Sequence, residues 1–287
     1  MGDPVDARVA QLISQFRSGD WATIERGNLA ERMAWWEGHA RASHPSPRAG
    51  YEALVLGSLG VAQDQVVVRS ENDAAIFWER RDPCPTLAAC ESLGLDTRMV
   101  CRRVCEKPAQ ALLSHIDPRL RFVRDYARLR PRGSCCREGI VRVDLEAFMD
   151  IALEEAHSSR AGGDKGYGAV VAFGGDVVAR AHDAGVTDRD PSLHAEVGAI
   201  RAAARTIGSP DLCGAILVST CEPCPMCSSL AVWANVTSIV FGASIEETAR
   251  LGKSRIRVGA QEIVGRGPAI VEVIGGVRKA ECLALYR

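Results

Sequence analysis

Two short stretches decide the reading of this chain: Asp190-Pro191-Ser192-Leu193-His194-Ala195-Glu196 and Cys221-Glu222-Pro223-Cys224-Pro225-Met226-Cys227. The chemical content of the first is one imidazole and one carboxylate, two residues apart. The second places two thiols three residues apart. A helix over 224–234 would set Cys224 and Cys227 on one face, within reach of one metal ion. Pro223 and Pro225 suit a helix start, where proline is tolerated. The dipole at such a start favours thiolates. His194 and Glu196 diverge on a helix, which lets the imidazole bind metal while the carboxylate faces an open position. One His and two Cys make three ligands for Zn²⁺ and leave the fourth tetrahedral position for water. Glu196 is then free to carry protons.

Each half of the pattern alone is weak. A C-x-x-C pair also serves as a redox couple or as half of a structural zinc site. An isolated H-x-E carries little information. Their conjunction, with the Asp190-Pro191 turn before His194 and the strand-like Ala215-Ile216-Leu217-Val218 before the cysteines, points to a catalytic zinc centre.

Outward from these stretches, residues 141–287 alternate regularly. Asp144 reads as the N-cap of an amphipathic helix to about His157, with Phe148, Ile151 and Leu153 as core. Gly162 to Gly166 form a loop. Strands over 167–173 and 176–182 are joined by Gly174-Gly175, a hairpin signal. A helix over 192–206, strand 215–219, helix 224–234, strand 237–241, helix 245–251, strand 269–274 and helix 277–285 complete the pattern. Such an order predicts a three-layer α/β/α domain with a mixed sheet.

At 287 residues, 47% hydrophobic and net charge −1, the chain can build real cores and shows no global attraction to nucleic acid or anionic membrane. No apolar run approaches the roughly 18–20 residues that span a bilayer. The Met-Gly-Asp-Pro start lacks a basic-then-apolar signal, so the eleven cysteines are expected as thiols and metal ligands in a reducing cytoplasm. A seam near 132–143 predicts two domains: a smaller α+β domain over 1–140 that contains cysteines and is a candidate ligand-binding unit, and the zinc domain over 141–287. The Ser-His-Pro-Ser-Pro stretch at 43–47 is expected to break two helices.

The C-terminal half resembles the cytidine deaminase-like superfamily, in particular its guanine deaminase and tRNA-adenosine deaminase branch. Tyr167-Gly168-Ala169-Val170 is similar to the family's P-F-G-A-V word. Asp190 to Glu196 is similar to D-P-T-A-H-A-E, and Cys221 to Cys227 to the guanine deaminase form C-E-P-C-P-M-C. Trp233-Ala234 falls where that branch often has Trp-Ala. The resemblance implies one Zn²⁺ per chain on His194, Cys224 and Cys227, with Glu196 catalytic and Asp183, Ala195 and Trp233 at the substrate. It further implies hydrolytic loss of ammonia from a small amino-heterocycle, and a homodimer. Asp183 stands where the family usually has an Asn that hydrogen-bonds the ring. A carboxylate only accepts, which favours a ring edge rich in N–H, as in a guanine-like heterocycle; the bland alternative is that Asp183 caps a loop. Two further readings stay open: a tRNA-adenosine or nucleoside deaminase, which predicts a basic rim and is disfavoured by the near-zero net charge and by a Leu285-Tyr286-Arg287 tail without a Lys/Arg cluster, and a zinc-stabilised, non-catalytic ligand sensor, disfavoured by the presence of Glu196.

In the N-terminal half, Asp82-Pro83-Cys84-Pro85, Cys90, Cys101, Cys105-Glu106 and Cys135-Cys136, with Ile116 to Phe122, resemble the L-2-amino-thiazoline-4-carboxylic acid hydrolase family. The resemblance covers about 70–140 and implies a small α+β domain. The C-x5-C and C-x3-C spacings do not fit a zinc ribbon. Buried thiols acting as small hydrophobes are the expectation, with a second metal site as the alternative. Arg119, Arg121, Arg124, Arg128, Arg130 and Arg132 are expected on a solvated face, and Met33, Trp35 and Trp36 in a core.

Overall fold

The structure is a computed structural model that describes residues 4–39, 44–254, 256–267 and 271–287. The chain divides into two compact units, 1–143 and 144–287.

In the first unit, helices α1 (Pro4–Ser18) and α2 (Trp21–Glu37) are followed by α3 (Pro47–Tyr51), which runs on into a π-helical turn, Glu52–Ser58. The proline-rich break therefore separates α2 from α3, whose N-cap Ser46 accepts from the Ala49 N–H at 3.1 Å; Ser43 lies outside the described residues. Next come β1 (Val66–Glu71), β2 (Ala75–Arg80), α4 (Pro85–Leu93), α5 (Thr97–Cys101), a π-helical turn over Arg102–Glu106, α6 (Lys107–Ile116), β3 (Leu120–Arg124) and β4 (Cys136–Arg142). The strands form an antiparallel sheet in the order β1-β2-β4-β3. Trp36, Tyr51, Leu54, Trp78, Leu112, Leu120 and Ile140 fill one core, with Met33 and Trp35 packed at its margin.

Inside this unit the arginine run departs from expectation. Arg119 and Arg128 reach solvent, but Arg124 is buried and sets two nitrogens on Glu138 Oε1, at 3.0 and 2.7 Å. The run crosses β3, where alternate side chains face inward, so one face cannot hold every arginine. A buried guanidinium persists only with a charged partner, and Glu138 on the neighbouring strand supplies it.

In the second unit, α7 (Leu145–Gly162) begins at Asp144, whose carboxylate accepts from the Ala147 N–H at 3.0 Å. The helix extends five residues beyond the expected end and stops at Gly163, in the left-handed region. Phe148 and Leu153 are buried, Ile151 partly so. Strands β5 (Gly168–Phe173) and β6 (Asp176–His182) turn at Gly174-Gly175 with φ of 62° and 96°, the positive pair of a two-residue hairpin. Then follow α8 (Ala195–Ile207), β7 (Ile216–Cys221), α9 (Pro225–Trp233), β8 (Ser238–Ala243), α10 (Ile245–Arg250), α11 (Ala260–Arg266), β9 (Glu272–Gly275) and α12 (Lys279–Ala284). The expected strand over 269–274 falls partly outside the described residues. Helix α11 was not anticipated: it has two buried residues, Ala260 and Val264, too few to set a period.

The sheet order is β6-β5-β7-β8-β9, antiparallel on the β6 side and parallel from β7 to β9, so the sheet is mixed as expected. Ala169, Val171, Leu217 and Ile239 pack on one face with residues of α8, α9 and α11. The opposite face meets α7 and α12. A Cβ on Gly168 would lie 2.0 Å from the Ala152 carbonyl of α7, and one on Gly242 would lie 2.2 Å from Cys282 Sγ of α12. Every residue of β7 is buried, because helices cover both faces of that strand. None of the described helices is long and apolar enough to cross a membrane.

Candidate active site

Two helix starts meet at the carboxyl end of β7. His194 is the N-cap of α8 and Cys224 the N-cap of α9. Both stretches therefore act one residue earlier than a wholly helical reading implies: neither His194 nor Cys224 lies inside its helix. Cap positions still converge, because β7 delivers the chain to the start of α9 beside the start of α8. Glu222 holds this junction. Its Oε2 accepts from the Ile245 N–H at 2.9 Å and its Oε1 from the Ala260 N–H at 2.8 Å. The Ser228 hydroxyl donates to the Pro223 carbonyl at 2.9 Å and fixes the turn before Cys224.

The three donor atoms form a tight triangle. Cys224 Sγ is 3.6 Å from Cys227 Sγ, and His194 Nδ1 is 3.7 and 3.5 Å from the two sulfurs. A tetrahedral zinc ion with Zn–S of about 2.3 Å and Zn–N of about 2.05 Å requires S···S edges of about 3.8 Å and N···S edges of about 3.5 Å. The observed edges match these within about 0.2 Å, so the residues fit the ion. Among the described residues this is the set of three or more His, Cys, Asp or Glu donors that converges in this way.

The electrostatics favour the thiolate at Cys224. Cys224 is held down to about 4, by the hydrogen bond from the Cys227 thiol first, then by His194 and the Cys227 backbone N–H. The Cys227 thiol is pushed up as the donor of that pair and by burial. His194 is raised by its bond to Cys224 against the effect of burial. The positive ends of two helices add to this field.

Glu196 is the second residue of α8, two residues after His194, and is 6% exposed. Its Oε1 accepts from Ser219 Oγ at 3.2 Å, and its Oε2 is 3.5 Å from Cys227 Sγ. Burial pushes the carboxyl above the usual glutamate range. Ala195 is fully buried between His194 and Glu196. Asp183 is 1% exposed, and its negative charge acts on His194. Its Oδ1 accepts from the Gly185 N–H at 3.4 Å, a long bond that closes the local loop. Trp233 is not brought to this group within the chain. It ends α9, eight residues beyond Pro225 and about 12 Å along the axis, and is 76% exposed.

Three contributors escaped the sequence reading. In the sequence Ser219 reads only as part of a strand. Glu222 reads only as part of a motif. Tyr286 stacks on Tyr167 with ring centres 5.1 Å apart, and its hydroxyl is 3.0 Å from Thr220 Oγ1. Ser219 and Thr220 follow the strand-like run into the cysteines, which was the one available signal.

Comparison with known proteins agrees with this geometry. Residues 142–243 match the family described as the cytidine and deoxycytidylate deaminase zinc-binding region. A tRNA-specific adenosine deaminase of Agrobacterium fabrum is 31% identical over 140 residues, 49% of this chain and 90% of that protein. A tRNA-specific adenosine deaminase of Bacillus subtilis is 39% identical over 98 residues, 34% of this chain and 61% of the relative. The guanine deaminase of Bacillus subtilis is 37% identical over 86 residues, 30% of this chain and 55% of the relative. The chain thus spans little more than half the length of the two Bacillus relatives. By the long match to the Agrobacterium protein and the match over 142–243, the chain belongs to the zinc-binding deaminase family of cytidine deaminase-like fold, and its cofactor is Zn²⁺.

Proposed function

We propose that this protein is a hydrolytic deaminase that removes the exocyclic amino group of a guanine-like amino-heterocycle and releases ammonia. The observation that carries the reading is the buried Glu196 carboxylate beside the His194, Cys224 and Cys227 triangle. In this proposal those three residues hold the metal. When bound there, zinc supplies Lewis acidity and a water acidic enough to ionise near neutral pH. Glu196 takes a proton at Oε2, passes it to the ring nitrogen, and then helps the amine depart as ammonia. Its raised pKa suits a group that must hold a proton and give it up. Ser219 keeps Oε1 engaged, so that one oxygen stays in place while the other works. Asp183 accepts from N–H groups on the ring edge, which favours guanine-like over adenine-like rings. The solution state is a homodimer acting on a small molecule.

A second reading, deamination of adenosine in tRNA, is favoured by the length of the match to the Agrobacterium relative. One screen separates the two. Ammonia release is measured over guanine, guanosine, adenine, cytosine, pterins, aminotriazines and tRNA, with a Glu196→Gln control. The first reading expects turnover of a free ring and a drop of about 10²–10⁴-fold in the control at full zinc content. Turnover of tRNA alone selects the second reading. Full activity of the control would falsify the mechanism.

A further inference from the structure

Side chains of the N-terminal unit alone line a cavity of about 550 Å³, and four free thiols reach it: Cys84, Cys101, Cys105 and Cys136. They are not a metal set. Among the described residues, three or more donor atoms converge at His194, Cys224 and Cys227 and not here. Spacing singles out two of the four. Cys101 ends α5, and Cys105 lies in the π-helical turn that continues it, with right-handed helical backbone through the junction. Four residues apart on a helix, two side chains share one face and their Cα atoms stand about 6 Å apart. That separation lies inside the range of about 4.4–6.8 Å that a disulfide spans.

The two sulfurs differ in their surroundings. Cys101 is buried and Cys105 half-buried, so the cavity reaches the second more readily than the first. The Cys101 thiol donates to the Cys105 sulfur, Arg124 and Arg80 act on it, and the Thr86 hydroxyl stands 3.8 Å away. Both arginines also serve carboxylates, Glu138 and Asp82, so the bond from Cys101 leads. These neighbours hold the Cys105 thiol down against the effect of burial, while Cys101, as donor, is pushed up. In the same cavity, burial pushes the Cys84 thiol up. Thiols that oxidants attack selectively combine thiolate character, access and a second thiol alongside. Cys105 combines the three.

We propose that Cys105 and Cys101 form a redox-active dithiol that reduces a small hydroperoxide entering this cavity. The Cys105 thiolate attacks the peroxide oxygen that bears hydrogen. An S–O bond forms, the O–O bond breaks, and the other oxygen leaves with the electron pair and takes up a proton. Cys105 is then a sulfenic acid. The Cys101 sulfur gives up its proton and attacks the Cys105 sulfur. The S–S bond forms, the S–O bond breaks, and the departing hydroxide takes that proton and leaves as water. Two electrons pass from the dithiol to the peroxide. An external dithiol restores both thiols by exchange.

The probe is hydrogen peroxide, added to the reduced, full-length, zinc-loaded chain, with each thiol followed by mass spectrometry. A Cys101–Cys105 disulfide is expected, formed about tenfold faster or more than oxidation of Cys84 in the same cavity or of the half-buried Cys213 in the other unit. Dithiothreitol is expected to return both thiols. Cys101→Ser is expected to leave a sulfenic acid on Cys105 that dimedone captures, and Cys105→Ser to leave Cys101 reduced. Oxidation of Cys105 no faster than that of Cys213 overturns the proposal. So does pairing of Cys105 with a thiol other than Cys101, or oxidation of Cys101 at the original rate in Cys105→Ser. If the variants do not fold, absence of the Cys101–Cys105 link in the peroxide-treated, unaltered protein overturns it alone.

Discussion

Ser219 on β7 donates from Oγ to Glu196 Oε1 on α8, at 3.2 Å, with both residues buried. This bond selects which carboxylate oxygen is held and which is left beside Cys227. Ser219→Ala is therefore expected to lower kcat about 3–10-fold without loss of zinc, the range for one ordinary hydrogen bond of about 0.5–1.5 kcal/mol. Steady-state kinetics beside metal analysis tests it. An unchanged kcat at full metal content would mean that packing alone positions Glu196.

The sulfur of Cys227 is fully buried and belongs to a triangle of the dimensions zinc requires. Replacing it with Ala removes one ligand of three. Bound zinc, measured by atomic emission, is expected to fall by about an order of magnitude or more. The unfolding transition of the C-terminal unit is expected to move down, because metal binding to the native state adds to its stability. Added chelator should lower the unaltered protein toward the same value. Equal zinc content in the variant and the unaltered protein would remove Cys227 from the ligand set.

Glu138 anchors the other unit. It accepts from Trp78 Nε1 at 3.1 Å, bonds Arg124, and lies 3.8 Å from Arg80. Burial would raise its carboxyl, but Arg124 and Arg80 prevail and hold it below the usual range. Its contribution is therefore fully present above the ordinary glutamate value of 4.5 and is lost as pH falls through the lower native value. Urea midpoints for the N-terminal unit should fall with pH in that window. Glu138→Gln should flatten this dependence and cost about 3–5 kcal/mol at neutral pH, as when one partner leaves a buried pair. A variant with the same acid profile as the unaltered protein would show that other carboxylates govern it.

Tyr286 closes the C-terminal unit, 2% exposed, against Tyr167 and Thr220. Thr220 Oγ1 also accepts from the Gly168 N–H at 3.2 Å, and Arg160 Nη1 donates to the Leu285 carbonyl at 3.0 Å. The chain end is thus tied to β5, β7 and α7. Tyr286→Ala is expected to cost about 3–5 kcal/mol through the cavity it leaves, and Tyr286→Phe about 1 kcal/mol through the lost hydroxyl. Calorimetric unfolding of both variants distinguishes them. Equal effects would assign the whole role to the hydroxyl.

Much of the C-terminal unit was legible because its signals are local. Asp144 caps α7 through the N–H three residues on, Gly174-Gly175 supply the positive φ of their own turn, and β7 reads as one apolar run because both its faces are covered. The pair of motifs around His194 and Cys227 marked the three side chains that converge for the same reason: each donor sits at a helix start that its neighbours encode. Boundaries slipped where caps decided them, so His194 and Cys224 stand before their helices rather than within.

By itself the sequence determined the α/β pattern, the donor types and their spacing, because backbone period, capping and turn chemistry depend on adjacent residues. Only the tertiary structure decided which side chains meet across the chain. It set Ser219 on Glu196, Glu222 on two distant backbone N–H groups, Tyr286 on Thr220, and Trp233 on the surface at the far end of α9. It also buried Arg124 against Glu138 out of a run of arginines that looks uniformly solvated in one dimension. The physical reason is common to these cases. A hydrogen bond or an ion pair depends on separation in space and on the water excluded around it, and neither quantity is carried by spacing along the chain.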